Sequence, residues 1–249
     1  MDGLRVLRNT QVVILGVCIA AATIVASVIL SQGFIKVIKF TREQISVTGS
    51  ANKQITSDYV VWRASFTVRD PDLAKGYKRL AADLDRVKKY LLAKGIAEKE
   101  LVIPQVNTEQ LYKKDEHGND TNEFMDNRLM QFIEVRSEDV SRITQVSREV
   151  TELIDQGVQL NSGAPEYLYR KLDELKLEML AKATENAKLR AENMAKATGN
   201  RIGAIRSAKM GVFQITPSTS TEVSDQGIND TSSLDKKVTA VVTASFAIN

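Results

Sequence analysis

The stretch Val60-Val61-Trp62-Arg63-Ala64-Ser65-Phe66-Thr67-Val68-Arg69-Asp70-Pro71 decides the fold class. Val60, Trp62, Ala64, Phe66 and Val68 alternate with Val61, Arg63, Ser65, Thr67 and Arg69. That period of two marks a strand with one buried face. The period then changes at once. Asp70 is placed to cap a helix with Pro71 at its first position. Leu73, Tyr77, Leu80, Leu84, Val87 and Leu91 recur at helical spacing, and Gly95 supplies the stop. A half-buried strand feeding an amphipathic helix predicts an α+β domain with helices packed on one face of a mostly antiparallel sheet.

Working outward, Ile45, Val47, Gly49 and Ala51 alternate with Ser46, Thr48 and Ser50, an earlier strand joined to the first across residues 52–58. Strands are expected at about 101–112 and 124–135, connected by the polar turn Lys113-Lys114-Asp115-Glu116-His117-Gly118-Asn119-Asp120. A second helix is expected from about Asp139 to Gln156, ending at Gly157. A weaker strand, interrupted by Gly163 and Pro165, covers 158–170, and a third helix runs from Leu172 to Thr198. A strand at 201–215, a Ser/Thr-rich connection at 216–235 and a clean alternation from Val238 to Ile248 complete the chain. The total is about seven strands and three amphipathic helices.

The N-terminal region reads differently. No charged residue falls between Thr10 and Ile35, and residues 12–31 are nearly continuously apolar. About 20 residues at 1.5 Å rise span a hydrocarbon core of roughly 30 Å. The apolar run continues eight residues past Ala22, beyond a usual signal-peptide core, so an uncleaved anchor is expected. The organisation read from this is a short tail at 1–11, a transmembrane signal anchor at 12–35, a connector at 36–43 and an exported body at 44–249. Arg5 and Arg8 precede the span while Lys36, Lys39 and Arg42 follow it, so flanking charge does not set the orientation. The short tail and large C-terminal body favour a single pass through a bacterial inner membrane, body on the periplasmic or extracellular side. Cys18 is read as a lipid-facing or packed small hydrophobe.

Composition narrows the chemistry. The 249 residues carry 34 Lys and Arg against 31 Asp and Glu, a net charge of +3, with no basic run of the kind that binds nucleic acid. Cys18 and His117 are the sole residues of their types. An intrachain disulfide and a Cys/His zinc site are therefore excluded. His117 sits in a charged turn and is read as solvated. Asp173 and Glu174 suit the dipole at the start of the third helix. Trp62 is read as core. No catalytic residue, cofactor or metal is assigned, and a hydrolase using Asp173, Glu174 or His117 is the least favoured reading.

The connection at 216–235 is the irregular feature, because a 20-residue loop is long for a compact domain. It is read either as flexible, or as ordered by a neighbouring subunit or lining an opening in an oligomer. Candidate oligomer-interface residues are Gly211, Phe213, Pro217, Ser220, Gly227 and Thr231 around it. Ala187 and Ala191 join them from the alanine-rich face of the third helix, although an intradomain core is the preferred use of that face.

Several strings together resemble the SIMPL (DUF541) family over roughly residues 44–249. They are Ile45-Ser46-Val47-Thr48-Gly49-Ser50, Leu91-Leu92-Ala93-Lys94-Gly95-Ile96 leading to Ile103, and Ala183…Ala187…Ala191-Glu192…Ala195…Gly199 before Ile202-Gly203. Gly211-Val212-Phe213-Gln214-Ile215-Thr216-Pro217 and Asp230-Thr231-Ser232-Ser233-Leu234 resemble a membrane-anchored branch of that family. Its members include bacterial oxidative-stress defence proteins and a periplasmic immunogenic protein. The resemblance implies an exported, self-assembling α+β protein, ring-like or channel-like in some members, with no defined catalytic residues. The expected function is a ring- or cage-like homo-oligomer at the cell envelope, with a scaffolding role linked to oxidative or envelope stress defence. Its expected partners are further copies of itself, the bilayer through 12–35 and an envelope protein. The alternative is an envelope binding module that captures a peptide, small ligand or partner protein through the 216–235 loop.

Overall fold

The computed structural model describes residues 2–248, with side chains described for 15–35 and 43–248. In chain order the elements are α1 (Asp2–Arg42), β1 (Gln44–Thr56), β2 (Tyr59–Asp70), α2 (Leu73–Ala93), β3 (Leu101–Val102) and β4 (Asn107–Lys114). There follow β5 (Asp120–Ser137), α3 (Val140–Glu149), β6 (Leu160–Ser162), β7 (Glu166–Leu168) and α4 (Leu172–Ala197). The last four are β8 (Ile202–Met210), β9 (Gln214–Pro217), β10 (Ile228–Asn229) and β11 (Asp235–Ile248). The α+β class holds, with eleven strands and four α-helices among the described residues in place of about seven strands and three amphipathic helices behind one apolar helix.

Leu15–Ile35 of α1 is the one helix among the described residues long and apolar enough to cross a membrane, and its side chains are exposed throughout, Cys18 included. The helix continues to Arg42, through the stretch read as a separate connector. No glycine or proline follows Gly33 until Gly49, so nothing there breaks it.

The chain divides into two compact units whose boundaries fall inside β1, α4 and β11. One comprises Met1–Ala51, Leu180–Gly211 and Val241–Asn249. In it the small face of α4 packs on the sheet: Ala187 and Ala191 are fully buried with Val47, Ala244 and Phe246. Gly49 makes the approach of strand to helix possible. A Cβ there would lie 2.3 Å from the Ala183 carbonyl oxygen and from the Ala187 nitrogen. Two bonds fix this contact, Ser50 N–H donating to Asn186 Oδ1 (3.2 Å) and Arg190 Nη1 donating to the Thr48 carbonyl (3.0 Å). β8 lies antiparallel on β11, from Val242↔Met210 to Ile248↔Ile202.

The other unit comprises Asn52–Met179 and Val212–Ala240. Its centre is the antiparallel pair β2–β5, in register from Val60↔Ser137 to Asp70↔Asn127, with β3 and β4 on β5, and β6 and β7 on β2. Trp62 and Phe66 join Leu80, Leu91, Ile133 and Ile143 in one core under α2 and α3. Trp62 is fully buried and its Nε1–H reaches Ser162 Oγ and the Gly163 carbonyl, both at 3.1 Å.

Local departures have local causes. The cap of α2 is Asp72, whose side chain accepts from Lys75 N–H, and not Asp70. Asp70 instead accepts from Asp72 N–H (2.9 Å), turning the chain across Pro71 before the helix begins. Pro104 splits the expected 101–112 strand, and the buried Gln131 amide covers the gap by donating to the Pro104 carbonyl (2.6 Å). The second helix tightens into a 3₁₀ turn at Val150–Leu153, which buries both end residues. Gly163 and Pro165 divide 158–170 into β6 and β7, and Gly211 ends β8 before β9.

Candidate functional site

The connection at 216–235 is ordered by its own chain. β10 pairs in parallel with β9, Ile228 beside Gln214 and Asn229 beside Ile215. The buried Gln214 side chain grips the loop from both sides, its Nε2 donating to the Ser224 carbonyl (2.7 Å) and its Oε1 accepting from Ser224 N–H (3.3 Å). Lys237 Nζ donates to the Ser220 carbonyl (2.5 Å), and Ser218 N–H to the Asp235 carbonyl (3.1 Å). These bonds tie the loop to its own chain. Sequence composition conveyed the lack of long strands but not the anchoring, which comes from polar side chains reaching backbone atoms.

Residues 228–231 stitch two sheets together within this unit. Asp230 N–H donates to the Ile215 carbonyl of β9 (2.9 Å), and Tyr167 N–H of β7 donates to the Thr231 carbonyl (2.7 Å). Beside the stitch is a cleft of about 260 Å³. Its floor carries the buried Ile55, Ile215 and Lys236; Tyr167, Tyr169 and Leu172 rise half-buried around it.

Lys236 and Asp230 form its polar element, with side chains 3% and 8% exposed. Lys236 Nζ donates to the Asp230 carbonyl (2.5 Å) and lies 3.5 Å from Asp230 Oδ2. Burial pushes the Lys236 ammonium below the ordinary lysine value, against the pull of Asp230. For the Asp230 carboxyl, burial acts upward but is outweighed by hydrogen bonds from Ser232 and Ser233 and by the Lys236 charge, which bring it down to about 2. Ser232 supplies both its N–H (2.9 Å) and its hydroxyl (2.6 Å) to Asp230 Oδ1. Sequence reading missed this pair. A signal was present: Lys236 occupies the same alternating face as Val238, Ala240 and Val242, where an unpaired charge is not tolerated.

The eight candidate interface residues divide. Thr231 lines the cleft. Gly227, at φ +85° with the Phe213 carbonyl oxygen 2.9 Å from where a Cβ would sit, shapes the turn before β10. Gly211 N–H donates to the Val241 carbonyl (2.8 Å) at the end of β8. Ser220 accepts from Lys237 at its carbonyl, and Phe213 precedes β9 and Pro217 ends it, both half-buried. Ala187 and Ala191 are buried in the intrachain core.

The remaining chemical candidates are not brought together. His117 is exposed in a turn organised by Asp115, whose Oδ1 accepts from Asn119 N–H and His117 N–H at 2.9 Å; the Asn119 bonds lead in holding that carboxyl below its usual range. Asp173 and Glu174 are exposed in the first turn of α4. Among the described residues no group of three or more His, Cys, Asp or Glu side chains is placed to hold a metal ion.

Among the strands at sheet edges, β8 and β4 are exposed along most of their length. β8 is exposed on both faces from Ala204 to Met210, with Ile205 and Met210 about half accessible, and among the described residues its one strand neighbour is β11. β4 has β5 on one side, and seven of its eight residues are exposed. Tyr112 of β4 meets Phe124 of β5 edge to face, centroids 6.5 Å apart.

The model of the SIMPL family, described as "Protein of unknown function (DUF541)", matches residues 45–246, and the chain belongs to that family. A comparison with curated proteins finds no match.

Proposed function

We propose that this chain is an envelope protein, held by Leu15–Ile35 at a bacterial inner membrane with its body outside the cytoplasm, that assembles with copies of itself into a ring or cage. The observation that carries the assembly is β8. An open edge presents unpaired N–H and C=O groups, and proteins that stay monomeric blunt such edges with prolines, charges or short length. β8 has nine residues and no proline, and its two charges, Arg206 and Lys209, leave the half from Ile202 to Ile205 without one.

The presence of a second, different open edge at β4 favours head-to-tail pairing over a two-fold dimer, and head-to-tail contacts close into rings when the rotation allows. The role is then scaffolding or retention at the membrane surface, and the link to stress defence comes with the family resemblance. The alternative of a binding module finds its observation in the Lys236 cleft and does not compete with assembly.

Sedimentation of the detergent-solubilised chain tests the edge. Ile205→Lys with Met210→Lys places two charges on half-exposed positions and is expected to convert the assembly to monomer with little change in unfolding temperature. An unaltered sedimentation coefficient for a folded double variant overturns the role of β8.

A further inference from the structure

We propose that the cleft beside residues 229–231 is a binding site for a small uncharged phenol-type molecule, one ring bearing a hydroxyl. Three observations lead there. The first is size: drug-sized ligands and cofactors occupy about 300–1,000 Å³, while an apolar cavity of about 150 Å³ takes benzene. At about 260 Å³ this cleft suits one ring with a substituent.

The second is the lining. Ile55, Ile215 and Leu172 give an apolar bed, and Tyr167 and Tyr169 offer ring contacts. The Tyr167 hydroxyl is engaged with Thr144 Oγ1 at 3.0 Å. Lys236 and Asp230 are therefore the polar pair at the floor.

The third is charge. An ammonium has three donors, and both polar contacts of Lys236 are to Asp230. A hydroxyl can accept from Lys236 and donate to the Asp230 carboxylate, leaving the buried pair neutral. A carboxylate would add an uncompensated charge, because Arg170 at the rim is already paired with Glu138 (2.6 Å) and Asp58 (3.9 Å).

An extended peptide is a poorer occupant. The edge of β7 that it would join is taken where Tyr167 N–H donates to the Thr231 carbonyl. The site is independent of strand-edge assembly, so either reading stands or falls alone.

The test is a titration of the full chain in detergent micelles with p-cresol, followed by methyl NMR at Ile55, Ile215 and Leu172, with p-toluate and toluene as companions. Saturable p-cresol shifts confined to these methyls, nuclear Overhauser contacts from its ring to Leu172 and Ile215, and at least tenfold weaker binding of p-toluate and of toluene are expected. Leu172→Trp, at a half-buried first helical position, is expected to abolish the shifts at the same micelle concentration. Absence of saturable shifts in the wild-type chain at millimolar p-cresol overturns the proposal. So does p-toluate or toluene binding as tightly as p-cresol, or a folded Leu172→Trp chain that binds undiminished.

Discussion

Gly49→Ala is the sharpest test of how β1 meets α4. The added methyl carbon would sit 2.3 Å from the Ala183 oxygen and the Ala187 nitrogen, and 2.6 Å from Ala187 Cα. All three atoms are backbone, so no side chain can rotate away. Ordinary contact begins near 3.4 Å, and the difference requires strand and helix to part by about 1 Å. A gap of that size forfeits roughly a quarter to a half of the dispersion energy across it. The row affected holds Ala187, Ala191, Val47, Ala244 and Phe246. Overpacking typically costs 1–3 kcal/mol and more where nothing yields, so about 3 kcal/mol is expected here. For a domain of this size that lowers the unfolding temperature by about 6–12 °C. Circular dichroism melts of the full chain in detergent read it directly. Gly16→Ala, which meets nothing within 4 Å, is the companion expected to change little. A loss below about 2 °C for Gly49→Ala would refute the close strand–helix contact.

Other outcomes follow from the stitched loop and the anchor. Lys236→Met strands the buried Asp230 carboxylate and is expected to cost about 3–5 kcal/mol in urea unfolding. With its folded pKa lowered to about 2, Asp230 contributes roughly 2 kcal/mol of stability. That contribution is complete above about pH 4 and lost as pH falls towards 2; Asp230→Asn should flatten that part of the stability–pH curve, and an unchanged curve would contradict it. Gln214→Ala removes the grip on Ser224 and should speed proteolysis within 218–227 several-fold while the melt shifts by only about 1–3 kcal/mol; unchanged cleavage would contradict the anchoring. His117→Cys in a Cys18→Ala background places a thiol on an exposed turn. A membrane-impermeant maleimide should label it in intact spheroplasts, and labelling only after lysis would reverse the proposed orientation.

The fold was legible where one period governs a long segment. The alternation of Val60 to Val68 reappears as β2, and Leu80, Val87 and Leu91 of the helical stripe as the buried face of α2, while Leu73 and Tyr77 in its first turns are exposed. Boundaries were legible less often. Pro104 and Gly211 each break an alternation without changing its composition, so one expected strand became two. The cap moved from Asp70 to Asp72 because both aspartates fit the cap pattern, and only the turn at Asp70 distinguishes them. The loop at 216–235 failed for a different reason. Its order comes from Gln214, Lys236 and Lys237 reaching backbone atoms across 6 to 17 residues, which no period reports. Ala187 and Ala191 read as core in preference to interface, and both are buried against the strand that Gly49, unremarkable in its own sequence, lets approach.

The most direct test of the assembly is the mass of the full-length chain in mild detergent, measured by light scattering with the detergent contribution subtracted. A single defined mass many times 27.6 kDa is the predicted result. A monodisperse species at one chain mass would contradict it.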